Sequence, residues 1–354
     1  MKKILFTVLA AGLFMSAAYS YNPPAGGEDL TLLASPANLS GANSVTGGAL
    51  FDAGADSIIV NPALTAREQR VNLTAGYTFL YSSDKENKDF DGQIGTSFQT
   101  GILIPFKLYI FSGYVNGTFS PFKEMHLGNS MNFKAGLSKE ITDKLSVGLG
   151  AGGGYAWKYG DDWSLYGDVG ILYSPGSVGF MNDVRLGLSV LNLGKMYNDV
   201  DRIGIDEKAE NTPYPTLATV KAGVAGSVLD TDIAKIGLGL DVSTPCFQNV
   251  IADFNAQVAF KKMFFISIGE KFNLAEVIQG KYNFIPSVAF LFKFTFDVKN
   301  NQYLEDNGWS QSEMTVSAGY KNLYETVHAA SAGVDIDLGM ADNEAPNIVV
   351  WDNE

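Results

Sequence analysis

The sequence predicts an all-β protein, a transmembrane antiparallel β-barrel of about fourteen strands with an N-terminal plug (hatch) segment in its lumen. Three observations carry this: a secretory leader, the lack of any later apolar run long enough for a helix to cross a bilayer, and apolar/polar alternation at period two.

The leader occupies residues 1–20. Lys2 and Lys3 form a positive start, residues 4–15 are almost wholly apolar, and Ala18 and Ser20 place small residues ahead of Tyr21. That is the layout of a cleavable signal peptide, with an apolar core too short to stop in a membrane. Export narrows the remaining choices. The chain is acidic, with a formal charge of -13, and nucleic acid calls for a basic face. Cys246 is the only cysteine, so neither an internal disulfide nor a thiolate metal cluster forms. His126 and His328 fit no metal-ligand spacing. No nucleophile and base stand in a recognisable constellation, and the sequence calls for no metal, cofactor or catalytic residue.

Hydrophobic residues make up 46% of the chain and charged ones 18%, with 38 glycines, 16 tyrosines and 23 phenylalanines. An exported chain of this kind without helical spans has the composition of an outer-membrane barrel.

The strands show in the alternation. In residues 71–81, Val71, Leu73, Ala75, Tyr77, Phe79 and Tyr81 share one face, while Asn72, Thr74, Gly76 and Thr78 share the other. The pattern recurs at Ile94–Ile102, Tyr109–Phe119, Met131–Leu137, Leu145–Trp157, Leu165–Tyr173 and Val184–Val190. It continues at Ala218–Val224, Ile236–Val242, Ala252–Val258, Phe264–Ile268, Val288–Phe296, Met314–Tyr320 and Ala330–Leu338. A soluble β-sandwich also alternates, but fourteen such runs behind a leader, with aromatic outer faces, favour a barrel.

Charges agree with that phase. Lys134, Asp168, Arg185, Lys221, Asp241, Asp253, Lys293, Glu313 and Asp335 all fall on the inward face. A Lys or Arg facing lipid at mid-depth costs about 2–4 kcal/mol. Connections alternate short and long, as periplasmic turns and extracellular loops do, except that residues 298–311 are long where a short turn is expected.

Residues 21–70 precede the first strand, alternate poorly and are rich in small residues; they are expected to pack inside the barrel as a plug, the alternative being a disordered tail. Residues 71–340 then form the barrel, and 341–354 an acidic periplasmic tail or the start of a further domain. Gly148–Gly154, unusually rich in glycine within a strand, suggests the close approach of another backbone. The stretch Gly48-Ala49-Leu50, Asp52-Ala53-Gly54-Ala55-Asp56 and Asn61-Pro62-Ala63-Leu64, directly before the first strand, resembles the hatch of the FadL-type long-chain fatty-acid transporter family. Leu191-Asn192-Leu193-Gly194 is similar to a feature of FadL-like relatives, including the PorV type that serves protein secretion and paralogues in spirochaetes.

The resemblance implies an outer-membrane channel for passive uptake of hydrophobic, fatty-acid-like ligands, with Asn61, Pro62 and Ala63 in the hatch that plugs the barrel. The surrounding partners are then outer-membrane lipids. The alternative is a PorV-like secretion or assembly component, or an anchor for a periplasmic domain, with a periplasmic or secretion partner protein. Apolar pockets with a few placed cations bind carboxylated chains. By register, Lys134 and Lys221 lie inward near mid-strand and are the candidates for an anionic head group, unless they pair with Asp168 or acidic residues of the plug. Leu103, Ile110 and Leu291, with Leu80, Leu108 and Leu172, are the inward apolar positions that would line the ligand's path.

Overall fold

In the computed structural model, fourteen antiparallel strands form one sheet closed on itself. The structure describes residues 22–23, 32–83, 93–120, 128–197, 204–206, 218–296, 312–324 and 326–341. The expected leader, the long connection at 298–311, His126 and the acidic tail after Ala341 lie outside these.

The first seven strands are β1 (Arg70–Ser82), β2 (Ile94–Pro105), β3 (Ile110–Phe119), β4 (Asn129–Thr142), β5 (Leu145–Trp157), β6 (Asp162–Val178) and β7 (Met181–Lys195). The second seven are β8 (Thr219–Asp230), β9 (Ala234–Pro245), β10 (Ile251–Phe260), β11 (Phe264–Asn273), β12 (Ser287–Phe296), β13 (Ser312–Tyr324) and β14 (Val327–Ala341). Each pairs with its neighbours in sequence, and β1 closes on β14 from Arg70↔Ala341 to Ser82↔Val327. Closure removes the edge strands that an open sheet must protect. It also excludes the two-sheet sandwich.

The predicted phase holds along most of the wall. Phe133, Leu149 and Leu165 point outward and are 57%, 62% and 57% exposed, while Thr78, Ser97 and Gln99 point inward and are buried. An apolar belt of this extent around a closed barrel is covered by lipid rather than water. The barrel sits in a bacterial outer membrane.

Three positions depart from the expected phase, the first being Ala218, which lies just before β8 and is buried in an apolar cluster with Leu33 and Leu39. Leu108 is an exposed residue of the β2–β3 turn, not an inward one, because β3 begins only at Ile110. Val184 faces inward and is buried, although its alternation with Leu186 and Leu188 points it to lipid. A register irregularity between Asn182 and Arg185 opposite β8, with another opposite β6, inserts a bulge. An extra residue flips every side chain on one side of it. The strand at residues 264–268, the shortest in the sequence reading, extends to Asn273, but β12 pairs with it only as far as Gly269↔Ser287.

Candidate functional site: the luminal segment and the hollows around it

Residues 32–69 run inside the barrel in short pieces: a helical turn at Pro36–Leu39 and 3₁₀ turns at Ala55–Ile59 and Leu64–Arg67. Such irregular backbone leaves many N–H and C=O groups without helix or sheet partners, and buried ones must be satisfied. The inward polar residues of the wall supply those partners. Asp241 accepts from Val45 N at 2.7 Å, Gln257 from Leu50 N at 2.6 Å and Asn72 from Ala55 N at 2.8 Å. Ser189 donates to Val60 O at 2.8 Å, Thr78 donates to Leu33 O, and Thr65 and Ser138 share a 2.7 Å hydroxyl contact. The polar inner face is therefore a template for one particular path of the segment.

A side-chain network adds to it. Gln99 accepts from Asn38 at 3.2 Å and from Tyr114 at 2.8 Å, and donates to Asp56 at 3.0 Å. Burial raises the Asp56 carboxyl above its ordinary value, against the lowering effect of the hydrogen bonds from Gln99 and Ser35.

Asn61, Pro62 and Ala63 meet the wall between β5 and β6. Asn61 is fully buried; its Nδ2 donates to Val45 O at 2.8 Å and to Ile171 O at 3.1 Å, and its Oδ1 accepts from Ala63 N at 3.0 Å. The last is an Asx-type turn, for which Asn before Pro is well suited. Where the tripeptide touches the wall, the wall is glycine. A Cβ on Gly148 would overlap the backbone of Pro62 and Ala63, and one on Gly170 would overlap Asn61 Oδ1. The close approach expected near Gly148–Gly154 is thus made at Gly148. Elsewhere in that run, Gly152 makes room for the Tyr166 ring of the wall, and Gly154 for Asn132 of the wall and Tyr197 just after β7.

Lys134 and Lys221 face inward, each opposite a carboxylate. Lys134 Nζ lies 2.8 Å from Asp168 and 5.1 Å from the centre of the Tyr166 ring; Asp168 also accepts from Asn192 N at 2.6 Å. Asn192 has a left-handed φ of 57°, so the Leu191-Asn192-Leu193-Gly194 run is a local departure from strand geometry that brings its N–H to Asp168. Lys221 is 3.8 Å from Asp253, which also pairs with Lys271 at 3.5 Å. Both lysines are thus already matched by carboxylates of the wall. Leu103 and Ile110 are buried against Ala55 of the segment, and Leu291 lines a hollow of about 50 Å³ beside Asp52 and Asp335. These apolar positions are covered by the segment rather than open. His328, for which the sequence shows no partner, stacks on Tyr81 and Tyr320, and its Nδ1 lies 2.7 Å from the Tyr320 hydroxyl.

Three hollows beside the segment are small, about 80, 50 and 40 Å³. A larger one of about 510 Å³ opens at the short-turn mouth, between Leu50 and Phe51 of the segment and residues of β6 to β13. Arg185 stands at its inner end, and the sequence reading places it inward without assigning it to a site. Nothing in the sequence marks this cavity, because its walls come from strands far apart in the chain, from Leu172 of β6 to Glu313 of β13.

The fold is that of a fourteen-stranded outer-membrane barrel with a luminal N-terminal segment. Among solved structures it is similar to CymD, a monoaromatic hydrocarbon channel, with a TM-score of 0.50 and 11% identity over 88% of this chain and 98% of that one. It is also similar to the Pseudomonas putida toluene transporter TodX, with a TM-score of 0.50 and 10% identity over 91% of this chain and 99% of that one. A TodX mutant described as a monoaromatic hydrocarbon channel gives 0.50 and 10% over 88% and 97%. This agrees with the FadL-like resemblance at the level of fold. No protein-family model and no curated protein matches the sequence.

Proposed function

We propose that this protein is an outer-membrane channel for passive uptake of hydrophobic small molecules, long-chain fatty acids among them. In this reading residues 21–70 include a plug that must shift to let a ligand pass. One observation supports it most strongly. The fold is shared with hydrocarbon channels, and here the lumen is filled by a separate segment held by hydrogen bonds and by several separate apolar clusters rather than by one continuous core. Polar contacts can be exchanged for water or for a ligand during a local opening. Of the two luminal lysines, Lys221 is the better placed to meet a carboxylate, because its ion pair is the longer.

The test is transport by the full chain in liposomes. Toluene and oleate are expected to enter vesicles carrying the protein faster than protein-free vesicles, while a polar sugar is excluded. Equal rates for both vesicle types would end the uptake reading. The secretion reading has its own support in apolar residues at the short-turn end, above all Phe180, which is 81% exposed at the tip of the β6–β7 hairpin. A barrel that moves neither toluene nor oleate but retains a periplasmic protein through that hairpin would favour it.

A further inference from the structure

The cavity of about 510 Å³ at the short-turn mouth has a composition at odds with the rest of the chain. The whole protein carries 25 basic and 38 acidic residues. The cavity lining, by contrast, holds Arg67, Arg185, Lys235, Lys261, Lys262 and Lys293 against Asp183, Asp230, Asp232 and Glu313. Three of these cations are matched: Lys235 by Asp183 and Asp230, Lys293 by Glu313, and Arg67 by Glu140. Arg185 is not. It is only 6% exposed, yet it forms no ion pair within 4 Å among the described residues, and the charge of Asp183 on the same cavity wall reaches it only through space. One guanidinium nitrogen donates to Gly48 O at 2.8 Å and Ala49 O at 2.9 Å, the group lies 5.3 Å from the centre of the Phe51 ring, and its Nε has no hydrogen-bond partner among the described residues.

A buried cation calls for a counter-charge, and carboxylates bind guanidinium groups in two-pronged fashion. Beside it, Leu50, Phe51, Leu172, Val184, Ala259 and Phe265 give the cavity an apolar lining. A volume of this size is within the roughly 300–1,000 Å³ of small-molecule sites. The geometry points to a binding site at the periplasmic mouth for an anionic amphiphile, its acid group on Arg185 and its chain along Phe51 and Val184. The site deepens the uptake reading, on which it rests, and gives it a chemical class of ligand at the exit side. Occupancy also couples to the segment, because an acid group on Arg185 competes with the carbonyls of Gly48 and Ala49.

Titration calorimetry of the full chain in an uncharged detergent tests it, with dodecanoate, dodecanol and butyrate as probes. Dodecanoate is expected to bind saturably, and neither the uncharged chain nor the short acid to do so. Arg185→Gln removes the charge, while Val184→Trp fills the apolar part and leaves Arg185 in place. Each is expected to weaken dodecanoate binding by about tenfold or more, the scale of one charge-assisted contact or one well-filled pocket. Hydrogen exchange at Gly48–Leu50 is expected to rise with dodecanoate bound. Equal binding of dodecanol, equal binding of butyrate, unchanged binding in both variants, or no saturable binding would each overturn the site. Vesicles that pass toluene although dodecanoate fails to bind would sink this site alone. Binding at Arg185 without any transport would sink the uptake reading alone.

Discussion

Asn61 ties three separate parts of the chain together through a single amide: the segment at Val45, the wall at Ile171 and its own turn at Ala63. Truncation to alanine leaves buried carbonyls unpaired, and each unsatisfied group costs about 1–3 kcal/mol. In Asn61→Ala, hydrogen exchange is expected to speed up around residues 45 and 61–64 while β5 and β6 keep their protection. Unchanged exchange there would show that the tripeptide does not hold the segment. Gly148 gives the reverse test. Gly148→Val puts side-chain atoms where the backbone of Pro62 and Ala63 runs, whereas Gly113→Ala meets only ordinary contacts of 3.5 Å or more. The first is expected to displace the segment and raise small-solute leakage in a liposome-swelling assay, and the second to leave leakage at the wild-type level.

The strands were legible because lipid and lumen impose opposite chemistry on successive residues, so each run declares its own phase without reference to its neighbours. What one run cannot declare is an insertion. Val184 looks outward by spacing and is buried because a bulge between Asn182 and Arg185 shifts the phase. Pairings across the wall are harder to read: the inward phase makes Asp168 a candidate partner for Lys134, but most contacts of the segment with the wall leave no such mark. The motif Asn61-Pro62-Ala63 stands out in the sequence, yet its receiving surface, Gly148 and Gly170, comes from two strands far along the chain. The Lys134–Asp168 contact joins β4 to β6 across β5, and only the barrel register brings them to 2.8 Å. Within the wall this pair acts as a strut, and its cost is exposed by removing one half. Asp168→Asn keeps an acceptor for Asn192 N but leaves a buried ammonium unmatched, a change that typically costs about 3–5 kcal/mol. Urea unfolding in vesicles is expected to show that loss, and Lys134→Met in the same background to restore most of it. A single variant as stable as wild type would mean that water or another group already serves Lys134.

The barrel and its luminal segment differ in how they are held, and that difference decides what happens when they are separated. The wall's backbone is satisfied strand to strand and closed, and its outward side chains are matched to lipid; neither depends on residues 32–69. The segment, by contrast, takes its hydrogen bonds from inward side chains such as Asn72, Ser189, Asp241 and Gln257. Without the segment those groups face a lumen wide enough for water, which satisfies them in its place, so they are not left buried and unpaired. Excision of residues 32–66 is therefore expected to leave a folded barrel with a water-filled pore. In planar bilayers it should give steady conductance where the intact chain gives little, and urea stability should remain close to that of the intact protein. A lipid-facing change is expected to act the other way. Leu149→Arg, near the middle of β5, should cost about 2–4 kcal/mol in the same unfolding assay and leave conductance unaltered. If excision instead prevented insertion into vesicles, the segment would be part of what assembles the barrel, and a plug that shifts during transport would have to do so without leaving the wall.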